Sequence, residues 1–82
     1  MPITYILYSE KLDRYYIGST RESVEDRLYK HNHQHKGFTS VATDWEIVYR
    51  EEFEDYTNAL AREREIKKWK SRRLIEKLIK SL

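Results

Sequence analysis

The sequence predicts a small α/β domain with the element order ββαβαα and an antiparallel sheet. Three observations carry this. Two short segments rich in β-branched and aromatic residues, ITYILYS (3–9) and YYIGS (15–19), flank a polar break. A third such segment, WEIVYREEF (45–53), stands alone further on. After it, apolar residues recur at helical spacing to the end of the chain. Two glycines and one proline in 82 residues leave no linker and no low-complexity tract.

The elements follow in order. The break EKLDR between the first two strands reads as a hairpin turn. In the first strand Ile3, Tyr5 and Leu7 share one face and Ile6 and Tyr8 the other, which predicts a central strand covered on both sides. In SVEDRLYKHN, Ser23 is an N-cap with Asp26 three residues on, and Val24 and Leu28 form a short apolar stripe, so a helix is expected over 23–33. Gly37 marks a loop before the third strand. Helices are expected over 56–69 and 72–81, with Ser71 capping the second. In that last helix Leu74, Ile75, Leu78, Ile79 and Leu82 form one stripe.

Composition narrows the classes of function. With no cysteine, disulfides and thiolate zinc sites are excluded, and a reducing, cytoplasmic setting is the expectation. The apolar run in MPITYILYSEK is too short for a membrane span or a signal-peptide core. One soluble domain over residues 1–82, without membrane contact, is expected. Net charge is +2 but unevenly spread: residues 44–55 carry six acids against one cation, and residues 61–82 nine cations against three acids. The segment KKWKSRR puts Lys67, Lys68, Lys70, Arg72 and Arg73 around a tryptophan, which suits a polyanion or a solvated helix face.

One carboxylate is out of place. On the wheel of the 56–69 helix, Tyr56, Ala59, Leu60, Ile66 and Trp69 fall on one side, and Glu63 lies inside that arc. A carboxylate there needs compensation, either from an arginine such as Arg27 or from a divalent cation. Arg27 and His31 stand four apart on the first helix, on one face, flanking Val24 and Leu28. Two phenols, Tyr5 and Tyr16, can share a sheet face if the hairpin register allows. Gly18 suits a strand end where backbone must approach something closely. The stretch HNHQH places histidines at 31, 33 and 35; His31 is in phase with Arg27, whereas His33 and His35 run toward the loop and solvent. A zinc pair of His31 and His35 has no suitable third ligand nearby.

These words, TYILYS, YYIGST, RLYKHN and ALARERE, in this order, resemble the GIY-YIG nuclease superfamily, especially its small stand-alone bacterial members with an excinuclease-like catalytic domain. The resemblance spans about residues 3 to 80. It implies a ββαβα core on a three-stranded antiparallel sheet, an added C-terminal helix, and metal-dependent hydrolysis of nucleic-acid phosphodiesters. It places Tyr5 on the first motif word, Tyr16 and Gly18 on the second, Arg27 and His31 on the helix pair, and Glu63 on the single metal-binding carboxylate, for Mg²⁺ or Mn²⁺. Tyr5 is favoured over Tyr16 as the proton acceptor, provided that Arg27 and the metal lower its pKa; His31 relays the proton. The chain departs from the pattern at Ile3, where the motif has glycine, and at Thr4. It departs again at Ile75 and Glu76, where many members have an asparagine; that phosphate or water contact is either missing or supplied by a lysine such as Lys67.

The leading expectation is a metal-dependent endonuclease on branched, damaged or non-specific DNA, as in repair or recombination, acting as a monomer or weak homodimer. The alternatives are a catalytically weak or inactive nucleic-acid-binding module of the same fold, and a protein-interaction domain using the acidic 44–55 segment.

Overall fold

A computed structural model describes residues 1–33 and 41–81. The expected loop with His35 and Gly37, and Leu82 of the apolar stripe, lie outside the described residues. The elements run β1 (Ile3–Ser9), β2 (Arg14–Thr20), α1 (Val24–His33), β3 (Glu46–Glu52), α2 (Tyr56–Trp69) and α3 (Arg72–Lys80). The predicted order ββαβαα is therefore the observed one. β2 is longer than YYIGS by one residue at each end, because Arg14 and Thr20 still pair with Ser9 and Ile3.

The sheet is antiparallel with strand order β2-β1-β3, so β1 is central. Tyr5 and Leu7 pack on one face with Val24 of α1 and Trp45; Ile6 packs on the other with Ile17, Tyr49, Ile66 of α2 and Ile75 of α3. Val24, Ile6, Leu7 and Ile66 are fully buried, and each such aliphatic side chain contributes roughly 1.5–3 kcal/mol. A register shift in the β1–β3 ladder pairs Ile6 with Tyr49 and Leu7 with Ile47. The extra residue, Val48, thus lets Ile47 and Tyr49 feed opposite cores despite their spacing of two.

Helix ends are closed by side chains. Ser23 Oγ accepts from Asp26 N at 3.1 Å, Asp55 Oδ1 from Asn58 N at 2.9 Å, and Ser71 Oγ from Leu74 N at 3.2 Å. Lys70, in the left-handed region at φ 46°, turns the chain from α2 into α3. Of the α3 stripe, Ile75, Leu78 and Ile79 pack on the core, but Leu74 is 43% exposed. It stands at the edge of the stripe, about 100° round the helix from the buried Ile75. No described helix is long and apolar enough to cross a membrane.

Candidate active site

The site is built on the Tyr5 face of the sheet. The hairpin register pairs Tyr5 with Gly18 and Leu7 with Tyr16, so both phenols point to the side covered by α1. Gly18 lies within β2, not at its end, and what approaches it is the Tyr5 ring. A Cβ at position 18 would stand 2.6 Å from the Tyr5 hydroxyl oxygen and 2.7 Å from Cζ. Only glycine leaves room for the phenol to lie across this edge strand, where its hydroxyl meets groups from α1.

Two such groups are one turn apart on α1. His31 Nε2 is 3.0 Å from the Tyr5 hydroxyl, and both side chains are buried, at 3% and 1% exposure. The Arg27 guanidinium is near enough for its charge to act on this hydroxyl. Tyr16 completes the cluster, its ring centroid 4.7 Å from that of His31 and 6.5 Å from that of Tyr5, with Trp45 edge-on behind it. The Nε of Arg27 is buried and has no hydrogen-bond partner among the described residues. Such an orphaned donor costs about 1–3 kcal/mol, and an anion would satisfy it.

Electrostatics set the protonation states. Burial and the neighbouring Arg27 charge push the His31 pKa down to about 4, so its imidazole is neutral at neutral pH. The Tyr5 pKa is raised: burial outweighs the lowering by Arg27, and Tyr16 and Glu63 add to the rise. Arg27 alone therefore does not supply the lowering expected from the sequence, because the phenol is too deeply enclosed. Stability should respond to His31. Its folded pKa lies below the unfolded value of 6.5, so the unfolded chain binds more protons between pH 6.5 and about 4. The contribution is complete above pH 6.5 and is lost as pH falls toward 4, on the order of 1–3 kcal/mol. Thermal unfolding of the wild type and of His31→Gln across that range should show a shallower acid slope in the variant; equal slopes would remove His31 as the cause.

Glu63 comes from α2 and is close enough for its charge to act on Tyr5. Its side chain is 17% exposed, and it pairs with neither Arg27 nor any other arginine among the described residues. Its partner is Lys67 Nζ at 2.6 Å, one turn on and itself 52% exposed. The arginine salt bridge offered as a structural alternative is thus not what the fold makes, since Arg27 is turned to the phenol. Among the described residues no three His, Asp or Glu side chains converge, so a cation held here would rest on one carboxylate and keep waters or phosphate oxygens as its other ligands. The donor set fits Mg²⁺ or Mn²⁺ of that kind and no metal that needs an all-protein shell.

The other sequence candidates are placed differently. Ile75 is core and Glu76 accepts from Tyr15 and Arg72, so neither stands in for the missing asparagine. Arg72 is committed to the hairpin turn, donating to Asp13 O at 2.8 Å, pairing with the Asp13 carboxylate and lying 5.3 Å over Tyr15. α3, carrying Arg72 and Arg73, packs on the sheet face opposite Tyr5. Lys68, Lys70 and Arg73 are exposed, with no carboxylate at ion-pair distance among the described residues. His33 is exposed and stacks on Tyr29 at 3.9 Å. The acidic 44–55 segment is partly spent inside the molecule: Asp44 accepts from Ser9 and Lys11, Glu51 pairs with Arg62, and Asp55 caps α2.

Asn32 escaped the sequence reasoning. Its amide makes two hydrogen bonds to the Trp45 backbone, at 3.0 and 2.8 Å, and so fixes the end of α1, with His31, against the start of β3. One polar residue among histidines carries no signal of such a brace.

A central strand bearing a phenol, a glycine that admits it to the edge, and an Arg–His pair above it make one enclosed polar cluster on an α/β scaffold. The chain matches the family model of the GIY-YIG catalytic domain over residues 1–77, and it belongs to that family. Membership carries nuclease-type activity and a nucleic-acid substrate at the family level. No curated protein and no solved structure is similar enough to the chain to count as a match.

Proposed function

We propose that the protein is an endonuclease that hydrolyses DNA phosphodiesters with one divalent ion, Mg²⁺ or Mn²⁺, held by Glu63. The observation that carries this reading is the Tyr5 hydroxyl held between a neutral imidazole and a guanidinium. In a structural hydrogen bond a buried phenol needs one partner; here an uncharged imidazole and a cation act on it together, and the Nδ1–H tautomer of His31 makes Nε2 the proton acceptor.

The chemistry follows from the residue types. Water attacks phosphorus, forming a new P–O bond as the ester P–O bond breaks. Tyr5 takes the proton of the attacking water while its own proton passes to Nε2 of His31, which is empty of charge and 3.0 Å away. Arg27 stabilises the charge that grows on the phosphoryl oxygens, its orphaned Nε being one donor for them. Tyr16, whose ring packs tilted against His31, orients the water or the phosphate. The divalent ion supplies Lewis-acid stabilisation of the phosphate and leaving oxygen. A cytoplasmic role in repair or recombination fits such an activity, with Lys68, Lys70 and Arg73 adding phosphate contacts away from the cut.

The test is incubation of the purified protein with supercoiled plasmid, branched duplex and single-stranded DNA, with Mn²⁺ or with EDTA. Nicking in Mn²⁺ only is expected, and Tyr5→Phe should lose about 100-fold in rate. No cleavage of any substrate would reduce the protein to a binding module of the same fold.

A further inference from the structure

We propose that the cleft where β2 leads into α1, walled by the start of α2, is a second phosphate subsite, in which Arg21 takes the backbone phosphate next to the one held by Arg27. The proposal rests on the nuclease reading and extends it to a part of the chain outside the motif residues.

The cleft has a volume of about 310 Å³ and is lined by Ser19, Thr20, Arg21, Glu22, Arg27 and Tyr56. That lies at the low end for small-ligand sites, the scale of one sugar-phosphate unit. Arg27 therefore faces two ways: its charge acts on the Tyr5 phenol, and its side chain forms part of this cleft wall with an Nε that has no partner among the described residues. Arg21 is exposed, and no carboxylate lies at ion-pair distance from it among the described residues. Its guanidinium lies over the Tyr56 ring, 4.1 Å from the centroid. Stacking on a ring orients a guanidinium through its face and leaves the in-plane N–H donors unspent. Arg21 is thus held on the cleft wall with its hydrogen-bonding edge available.

The ligand's charge follows from the balance of groups. Glu22 is the one acid among the lining residues, and Lys30 meets it at 3.3 Å. Two guanidiniums then share the cleft with one carboxylate that is already matched. A polar, anionic group with several acceptor oxygens fits, and a phosphodiester chain running from the Arg27 position supplies one at each nucleotide step. Free inorganic phosphate has the same oxygens but lacks the chain that links the two positions.

Equilibrium binding of a fluorescein-labelled DNA duplex, measured in EDTA over a series of KCl concentrations, tests this without cleavage. Arg21→Gln should weaken binding about tenfold and flatten the slope of log Kd against log salt by about one. Tyr56→Leu, which removes the ring, should weaken binding as well, and Tyr56→Phe, which keeps it, should match the wild type. Glu22→Gln should tighten binding. Inorganic phosphate at equal concentration of phosphate groups should compete poorly; effective competition would mean a free-phosphate site and overturn the chain-linked subsite. An unchanged Kd and slope in Arg21→Gln overturn the proposal while leaving the nuclease reading intact. Weakened binding in Arg21→Gln, with no cleavage by the wild type in Mn²⁺, supports the subsite and removes the nuclease reading alone.

Discussion

Glu63→Gln is expected to lower Mn²⁺-supported cleavage to below about a thousandth of the wild-type rate while the protein remains folded. The variant keeps the shape of the side chain and removes only its charge. Structurally that charge does little. Its partner Lys67 is on the same helix, one turn away and half exposed, and such pairs contribute about 0.3–0.5 kcal/mol. The thermal midpoint should therefore barely move. Functionally the same charge is the carboxylate of α2 that acts on Tyr5, and the one proposed to hold the cation. Rate measurements over a Mn²⁺ titration, beside a thermal melt, separate the two roles. A variant that unfolds would mean that Glu63 is structural, and a variant that cleaves normally would place the cation elsewhere.

Gly18→Ala is expected to damage stability and activity together. The added methyl carbon would lie 2.6 Å from the Tyr5 hydroxyl oxygen, 2.7 Å from Cζ and 3.1 Å from the Tyr16 ring. The Tyr5 ring cannot move aside freely, because it is buried against Leu7, Val24 and Trp45. Overpacking of this kind costs about 1–3 kcal/mol, which for a domain of this size lowers the melting temperature by roughly 4–20 °C. Whatever movement relieves the clash shifts the hydroxyl from its 3.0 Å contact with His31. Cleavage should then fall by about tenfold or more even at temperatures where the variant is folded. An unchanged melt with unchanged cleavage would show that the phenol does not lie over position 18.

The elements and their order were legible because each has a local cause. β-Branched and aromatic runs, Ser23 and Ser71 as caps, and the Ile75–Leu78–Ile79 stripe act within a turn or a strand. The two-sided burial of β1 was visible in its unbroken apolar run. Glu63 stood out because a carboxylate interrupted an apolar arc, but its partner did not, since pairing with Lys67 or Arg27 is a matter of which way each side chain turns. Leu74 is exposed for a related reason: periodicity gives the centre of an apolar arc and not where burial ends along its edge. Arg72 looked like one more cation in KKWKSRR, and only the fold brings it to the hairpin turn at Asp13.

By itself the sequence determined the strands, the helices and the residue types able to handle a phosphate ester, because those depend on neighbours a few positions away. Tertiary structure alone decided that Gly18 exists to admit the Tyr5 ring, that the Val48 bulge splits β3 between two cores, and that burial drives the His31 pKa down. It also decided that Arg21 stacks on Tyr56 beside Arg27. These depend on register and desolvation, which arise only when segments far apart in the chain exclude water from one another.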